Sequence, residues 1–206
     1  DTGYKFTQDT EPSGMASLLS KESVSAESII ERNGKHLLLK KHRYIQNGSK
    51  KDRNEDINIS WSTADNELKG TITGVVRGKK INLTTNSEIW EVLSFQIPLM
   101  IEADSAIKEY PYNALLKGEI NTYHFKLKAT ENISFADKEY STLHLVRTDP
   151  VKDRQLHIWL IPQLNNIPVI VENYRDGKQH SRMQLESIQF GNTKLIAEKL
   201  VMDDDF

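Results

Sequence analysis

Two turn signals constrain this chain more than any other feature. Asn33-Gly34 and Asp176-Gly177 each sit between half-apolar runs. Such pairs supply the positive φ angles of a two-residue type I′ turn, so each closes an antiparallel hairpin. In the first, residues 24–32 pair with 35–45, and setting Arg32 opposite Lys35 places Ile30 against Leu37 and Ile29 against Leu38. In the second, counting outward sets Ile170 against Met183, Pro168 against Leu185, Val171 against Arg182 and Asn173 against His180.

The stretch between these hairpins alternates in the same way. "DINISWS" carries Ile57, Ile59 and Trp61 on one side, "TADNE" turns the chain into "LKGTITGVV", and "RGKK" turns it into "INLTT". Later, "INTYHFKLKA" places Tyr123, Phe125 and Leu127 together, followed by "YSTLHLVRT" and "RQLHIWLI". Closely spaced strands without intervening helices imply antiparallel pairing.

One segment has a different period. In "TNSEIWEVLSFQIPLMIEADSA", Ile89, Trp90, Leu93, Ile97 and Met100 recur at three- and four-residue steps. Thr85 and Glu88 have capping-box spacing, and Pro98 predicts a kink or an end near Ile97. The expected fold is mainly β: one antiparallel, strongly curved sheet forming an open or half barrel, with a single amphipathic helix near 88–101 on its concave side. Pro162 and Pro168 must lie at strand ends, bulges or an edge, because proline cannot donate to a ladder. Such breaks let a sheet turn a corner. Residues 1–23 read as a loosely ordered segment with a short strand at 4–7, residues 24–200 as a single β-rich domain, and 201–206 as an acidic tail.

Composition narrows the chemistry. Among 206 residues there is no cysteine, which excludes disulfides, thiolate zinc sites and cysteine nucleophiles. Net charge is −2 with both signs interspersed, which argues against a nucleic-acid partner. No apolar run reaches the length of a transmembrane helix. The first residue is Asp1 rather than methionine, as expected after removal of a signal peptide.

Catalytic motifs are missing: there is no G-x-S-x-G elbow, phosphate-cradling glycine loop or H-E-x-x-H helix. "DTG" at residues 1–3 lacks the preceding apolar strand and the second copy that an aspartic-protease dyad needs. His124, His144 and His157 lie on three expected strands, yet strand parity gives no reason for them to converge, so no metal site or cofactor is expected. The three Asn-x-Ser/Thr triplets at Asn58, Asn82 and Asn132 are given no role, and the basic run at 35–53 reads as a solvated edge strand. The aromatic residues carry more information. Trp61 is one; Trp90, Phe95, Tyr123, Phe125, Trp159 and Tyr174 are the candidates for lining a concave apolar surface.

"WLIPQLNNIPVIVE" at 159–172, followed by Asp176-Gly177 and "RMQLES", resembles the C-terminal signature of DUF3108, a family of exported bacterial proteins of unknown function. Its structural motif falls here on Trp159, Leu160, Pro162, Leu164, Pro168, Val169, Asp176 and Gly177. "LSFQIPL" at 93–99 is similar to the family's leucine-serine helix, and "TLHLVRT" at 142–148 to its strand ending in arginine. The likeness spans roughly residues 24–190 and is strongest from 119 onward. In one departure, family members usually carry a glycine in the turn before that strand, where this chain has "FADKEY" at 135–140. The resemblance implies an exported, periplasmic protein of a Gram-negative envelope, with a half-barrel similar to lipoprotein-carrier proteins and no established catalytic residues. The expected role is non-enzymatic binding of an apolar or acylated ligand, or of an envelope partner. The alternatives are an assembly module with a filled core and, third, a hydrolase or isomerase with a carboxylate near His124 or His144.

Overall fold

The computed structural model describes residues 3–10, 22–48, 52–64, 67–91, 93–149, 153–190 and 193–196. The acidic tail, residues 11–21 of the N-terminal segment, and Asp1 and Thr2 lie outside the described residues. The chain divides into two compact units, Asp1–Phe95 with Tyr112–Tyr123, and Gln96–Pro111 with His124–Phe206.

The first unit contains a six-stranded antiparallel meander in sequence order: β1 (Gly3–Thr10), β2 (Ser23–Asn33), β3 (His36–Asn47), β4 (Glu55–Ala64), β5 (Glu67–Val76) and β6 (Lys79–Thr85). Alternation is cleanest in β5, where Leu68, Gly70 and Ile72 are buried between exposed neighbours. Ile30, Leu39, Ile57 and Ile72 are almost wholly withdrawn from water. A bulge between Ile29 and Ile30 shifts the β2–β3 register. The expected hairpin forms, but Asn33 pairs with His36, so the turn holds Gly34 and Lys35 and the pairing slides by two residues, with Ile30 opposite Leu39. Only Gly34 takes a positive φ, 59°, as the first central residue of a type II′ turn does. A two-residue slide preserves the faces.

The second sheet is also an antiparallel meander: β7 (Glu109–Leu116), β8 (Glu119–Phe135), β9 (Lys138–Asp149), β10 (Arg154–Ile161), β11 (Ile167–Arg175) and β12 (Lys178–Gln184). The boundary between the units falls within β7 and within β8. β13 (Ser187–Phe190) and β14 (Thr193–Ile196) form a separate ribbon. The strands thus sort into two open six-stranded sheets rather than one continuous curved sheet. Asp176 (φ 51°) and Gly177 (φ 70°) make the expected type I′ turn, and Arg175 pairs with Lys178. A bulge between Asn173 and Tyr174 then moves the register by one, so that Val171 faces Met183. Every residue of β12 is exposed, and β11 is its only partner among the described strands.

The proline break has the expected form. β10 ends at Ile161, Pro162–Leu164 makes a 3-10 turn, Asn165 and Asn166 are both left-handed, and Pro168 enters β11. Trp159 pairs with Ile170 but Leu160 pairs with Pro168, so a bulge lies between them. Beside it, Phe135, Trp159, Ile161, Val169 and Ile170 form a core, with Leu164, Leu185 and Ile188 packed against it.

The helix is shorter than its sequence period suggests. α1 covers Gln96–Glu102, and Pro98 sits in its first turn, where a missing N–H leaves no bond unmade. Residues 88–91 and 93–95 are not helical. Trp90 instead forms a parallel bridge to Ala114, donating to Asn113 O at 2.9 Å and accepting from Leu115 N at 2.7 Å. The Thr85–Glu88 capping box does not form, because Glu88 accepts from Leu37 N and bonds His36 Nδ1. The reciprocal pair is Glu91 with Ser94: Ser94 N donates to Glu91 Oε1 at 2.7 Å, and Glu91 N to Ser94 Oγ at 3.2 Å. At the far end of α1, Asn166 Nδ2 donates to the carbonyls of Met100 and Ala103. No helix among the described residues is long and apolar enough to cross a membrane.

Candidate functional site

The polar chemistry of the second unit gathers on one face of its sheet. Antiparallel register decides which side chains share it: His144 lies opposite Trp159, Glu172 opposite His157, and Tyr174 opposite Gln155. Parity within single strands missed this convergence. The register that sets Asp149 against Arg154 is the one that brings His144 against Trp159.

A continuous hydrogen-bonded chain runs through these residues. Glu131 Oε1 lies 2.8 Å from His144 Nδ1, His144 Nε2 lies 3.0 Å from His157 Nδ1, and His157 Nε2 lies 2.8 Å from Gln155 Oε1. Trp159 donates its indole N–H to the other Glu131 oxygen at 3.1 Å and stacks on the His144 ring at 3.9 Å. Tyr174 lies against His157 at 4.8 Å and donates its hydroxyl to Glu172, which also accepts from Arg182. His144 and His157 are buried. The bonds from His144 and then Trp159 hold the Glu131 carboxyl below the usual carboxylate range. Burial, reinforced by the neighbouring His144, pushes His157 below the usual imidazole range. The Tyr174 hydroxyl is raised by its bond to Glu172.

A second buried cluster lies in the first unit. Ser28 Oγ donates to Glu91 Oε1 at 2.6 Å and lies 3.0 Å from His42 Nδ1, which is 3.4 Å from Glu91 Oε2. The three residue types match a nucleophilic triad, but the geometry does not. A triad relays through both ring nitrogens, whereas here hydroxyl and carboxylate share Nδ1 and bond each other directly, with Ser28 wholly buried. Burial lowers the His42 pKa, against the pull of Glu91 and of a bond to the Glu27 backbone. Glu91 also accepts from Leu93 N at 2.6 Å, so the cluster ties β2 and β3 to Glu91 and Leu93.

The expected aromatic residues are divided between the two units. Trp90, Phe95 and Tyr123 belong to the first unit, Phe125, Trp159 and Tyr174 to the second. Trp90 and Phe125 are buried, and only Trp159 and Tyr174 join the histidine chain. In the structural motif, Leu160 and Val169 are buried, Leu164 packs on the Trp159 core, and Pro162, Pro168, Asp176 and Gly177 shape the breaks and the turn. His124 stands apart, bonding Glu109 at an exposed position. An open concavity of about 620 Å³ in the first unit is lined by Asn82, Leu83, Thr84, Gly118, Glu119 and Ile120, none of them a candidate aromatic. Among the described residues no group of His, Asp and Glu is arranged to hold a metal ion.

The family model described as a protein of unknown function (DUF3108) matches residues 1–185. The chain belongs to the DUF3108 family. No curated protein and no solved structure matches it. Both polar clusters and the Pro162–Pro168 break therefore lie within the DUF3108 region, and the β13–β14 ribbon lies beyond its match.

Proposed function

We propose that this chain is an exported, non-enzymatic binding module of the Gram-negative envelope that engages an extended segment of a partner protein by strand addition at β12. The observation that carries this reading is that all seven residues of β12 are exposed at the end of the second sheet. An antiparallel strand directs alternate N–H and C=O groups away from its one neighbour, and a free row of this kind templates a further strand. β12 contains Lys178, His180 and Arg182 and no acidic residue, which favours a segment bearing carboxylates. Export is supported by the resemblance to exported proteins. The non-enzymatic reading is supported by the closure of both polar clusters: each Glu131 oxygen and each His144 nitrogen already has a partner.

The test places a photo-crosslinking residue at His180 or Met183 in the natural host. The expected result is a discrete polypeptide adduct, and the same polypeptide, purified, slows amide exchange along Lys178–Gln184. Adducts no more frequent than those from Lys69 and Thr71 of β5, or protection confined to other strands, overturn the reading. The second reading, an apolar or acylated ligand held in a half-barrel, rests on the aromatic supply and the family resemblance. Native mass spectrometry that finds a retained lipid would favour it.

A further inference from the structure

We propose that His144 and His157 form a one-proton switch, in which the two rings together take up a single proton and its uptake turns the Gln155 amide. The inference follows from counting hydrogens along the chain. An ionised Glu131 only accepts, so His144 Nδ1 must carry a hydrogen toward Glu131 Oε1 at 2.8 Å. One hydrogen fits in the 3.0 Å gap between His144 Nε2 and His157 Nδ1. When both rings are neutral, that hydrogen comes from His157 Nδ1, leaving His157 Nε2 as a bare acceptor that requires the Gln155 NH2 group. One added proton places a hydrogen on His157 Nε2, which requires the Gln155 oxygen instead. The Gln155 amide lies 2.8 Å from Nε2, and a half-turn of that amide exchanges its oxygen for its NH2 group, so one side chain serves both states. A second proton would set two N–H groups against each other across the gap.

The surroundings fit a single added charge. From β8 the pair faces the Glu131 carboxylate and the Lys128 ammonium, and from β11 it faces Glu172 and Tyr174. Arg182 of β12 holds the far side of Glu172 at 2.8 Å. The carboxylates offset one positive charge. The stacked Trp159 and the burial of both rings oppose a second. The switch is independent of what binds at β12.

Long-range nitrogen–proton NMR of the histidine rings in the full chain tests this from about pH 8 down to about pH 5. The expected result is one proton taken up in one step, with the four ring nitrogens and the Gln155 side-chain amide moving at a common midpoint. Gln155→Glu, which presents only acceptors, is expected to raise that midpoint by about one pH unit or more. Two separate uptake steps, a Gln155 amide that does not respond, or unfolding before any uptake overturns the proposal.

Discussion

Ala136 and Asp137 join β8 to β9 in left-handed conformations, with φ of 50° and 59°, the backbone region that favours glycine. The left-handed region strains an L residue by roughly 1–2 kcal/mol, and glycine gives back roughly 0.5–1 kcal/mol in unfolded-state freedom. Asp137→Gly is therefore expected to stabilise the protein by about 0.5–1 kcal/mol in urea titrations. Two glycines make the opposite case. A methyl group on Gly70 would meet the Trp61 ring at 2.6 Å, and one on Gly74 would meet the backbone oxygen of Asp56. A side chain yields more readily than a backbone, so both alanine variants lose stability, Gly70→Ala by about 1–3 kcal/mol and Gly74→Ala by more. Glu91→Ala removes the buried carboxylate that accepts from the Ser28 hydroxyl and from the Leu93 and Ser94 amides. Its expected loss is about 3–5 kcal/mol, read by the same titration. The Glu91–Ser94 pair was hidden in the sequence because Thr85 and Glu88 offered the same spacing six residues earlier.

Elements were legible where a turn residue dictated geometry and less so where packing did. Asp176-Gly177 read correctly because both of its residues take positive φ, whereas Asn33-Gly34 misled because Gly34 begins the turn instead of ending it. Bulges at Ile29, Leu127, Trp159 and Asn173 carry no sequence mark, and each displaces a register that simple counting assumes. The period of residues 89–100 was helical, but the backbone of Trp90 bonds Asn113 and Leu115 instead, and pairing overrode period. β9 and β10 together make the second sheet sensitive to acid. His157 is held below the ordinary imidazole range, so the unfolded chain takes protons that the folded sheet refuses, and stability falls as pH drops through that range. Where His157 is charged in the unfolded chain and neutral in the folded one, the slope is about 1.4 kcal/mol per pH unit. Glu131 acts in the same direction at lower pH: its contribution is complete above the ordinary carboxylate range and is lost as pH falls through its depressed value. Melting temperatures across this span are expected to fall with acid, less steeply in His157→Gln.

At the scale of the whole chain, antiparallel β architecture was readable from alternation and turns, while the division into two six-stranded sheets was not. Strand spacing is the same whether a meander continues or stops, and only long-range packing tells the two apart. The family match ends at residue 185, but Ile188 of β13 packs against the Trp159 core. A chain ending at Glu186 is expected to keep its β-sheet circular dichroism and to lose about 1–2 kcal/mol of stability in urea, through the exposed Ile188 contact. An unfolded product would make the ribbon part of the fold's foundation. The bulge at Trp159 has a last consequence, for descent rather than for stability. Side chains in a strand swap sides with every residue, so inserting or deleting one residue within the paired segments Trp159–Ile161 or Ile167–Ile170 would turn the side chains beyond it to the opposite face. Lineages derived from this chain can lengthen or shorten those segments only in steps that restore parity.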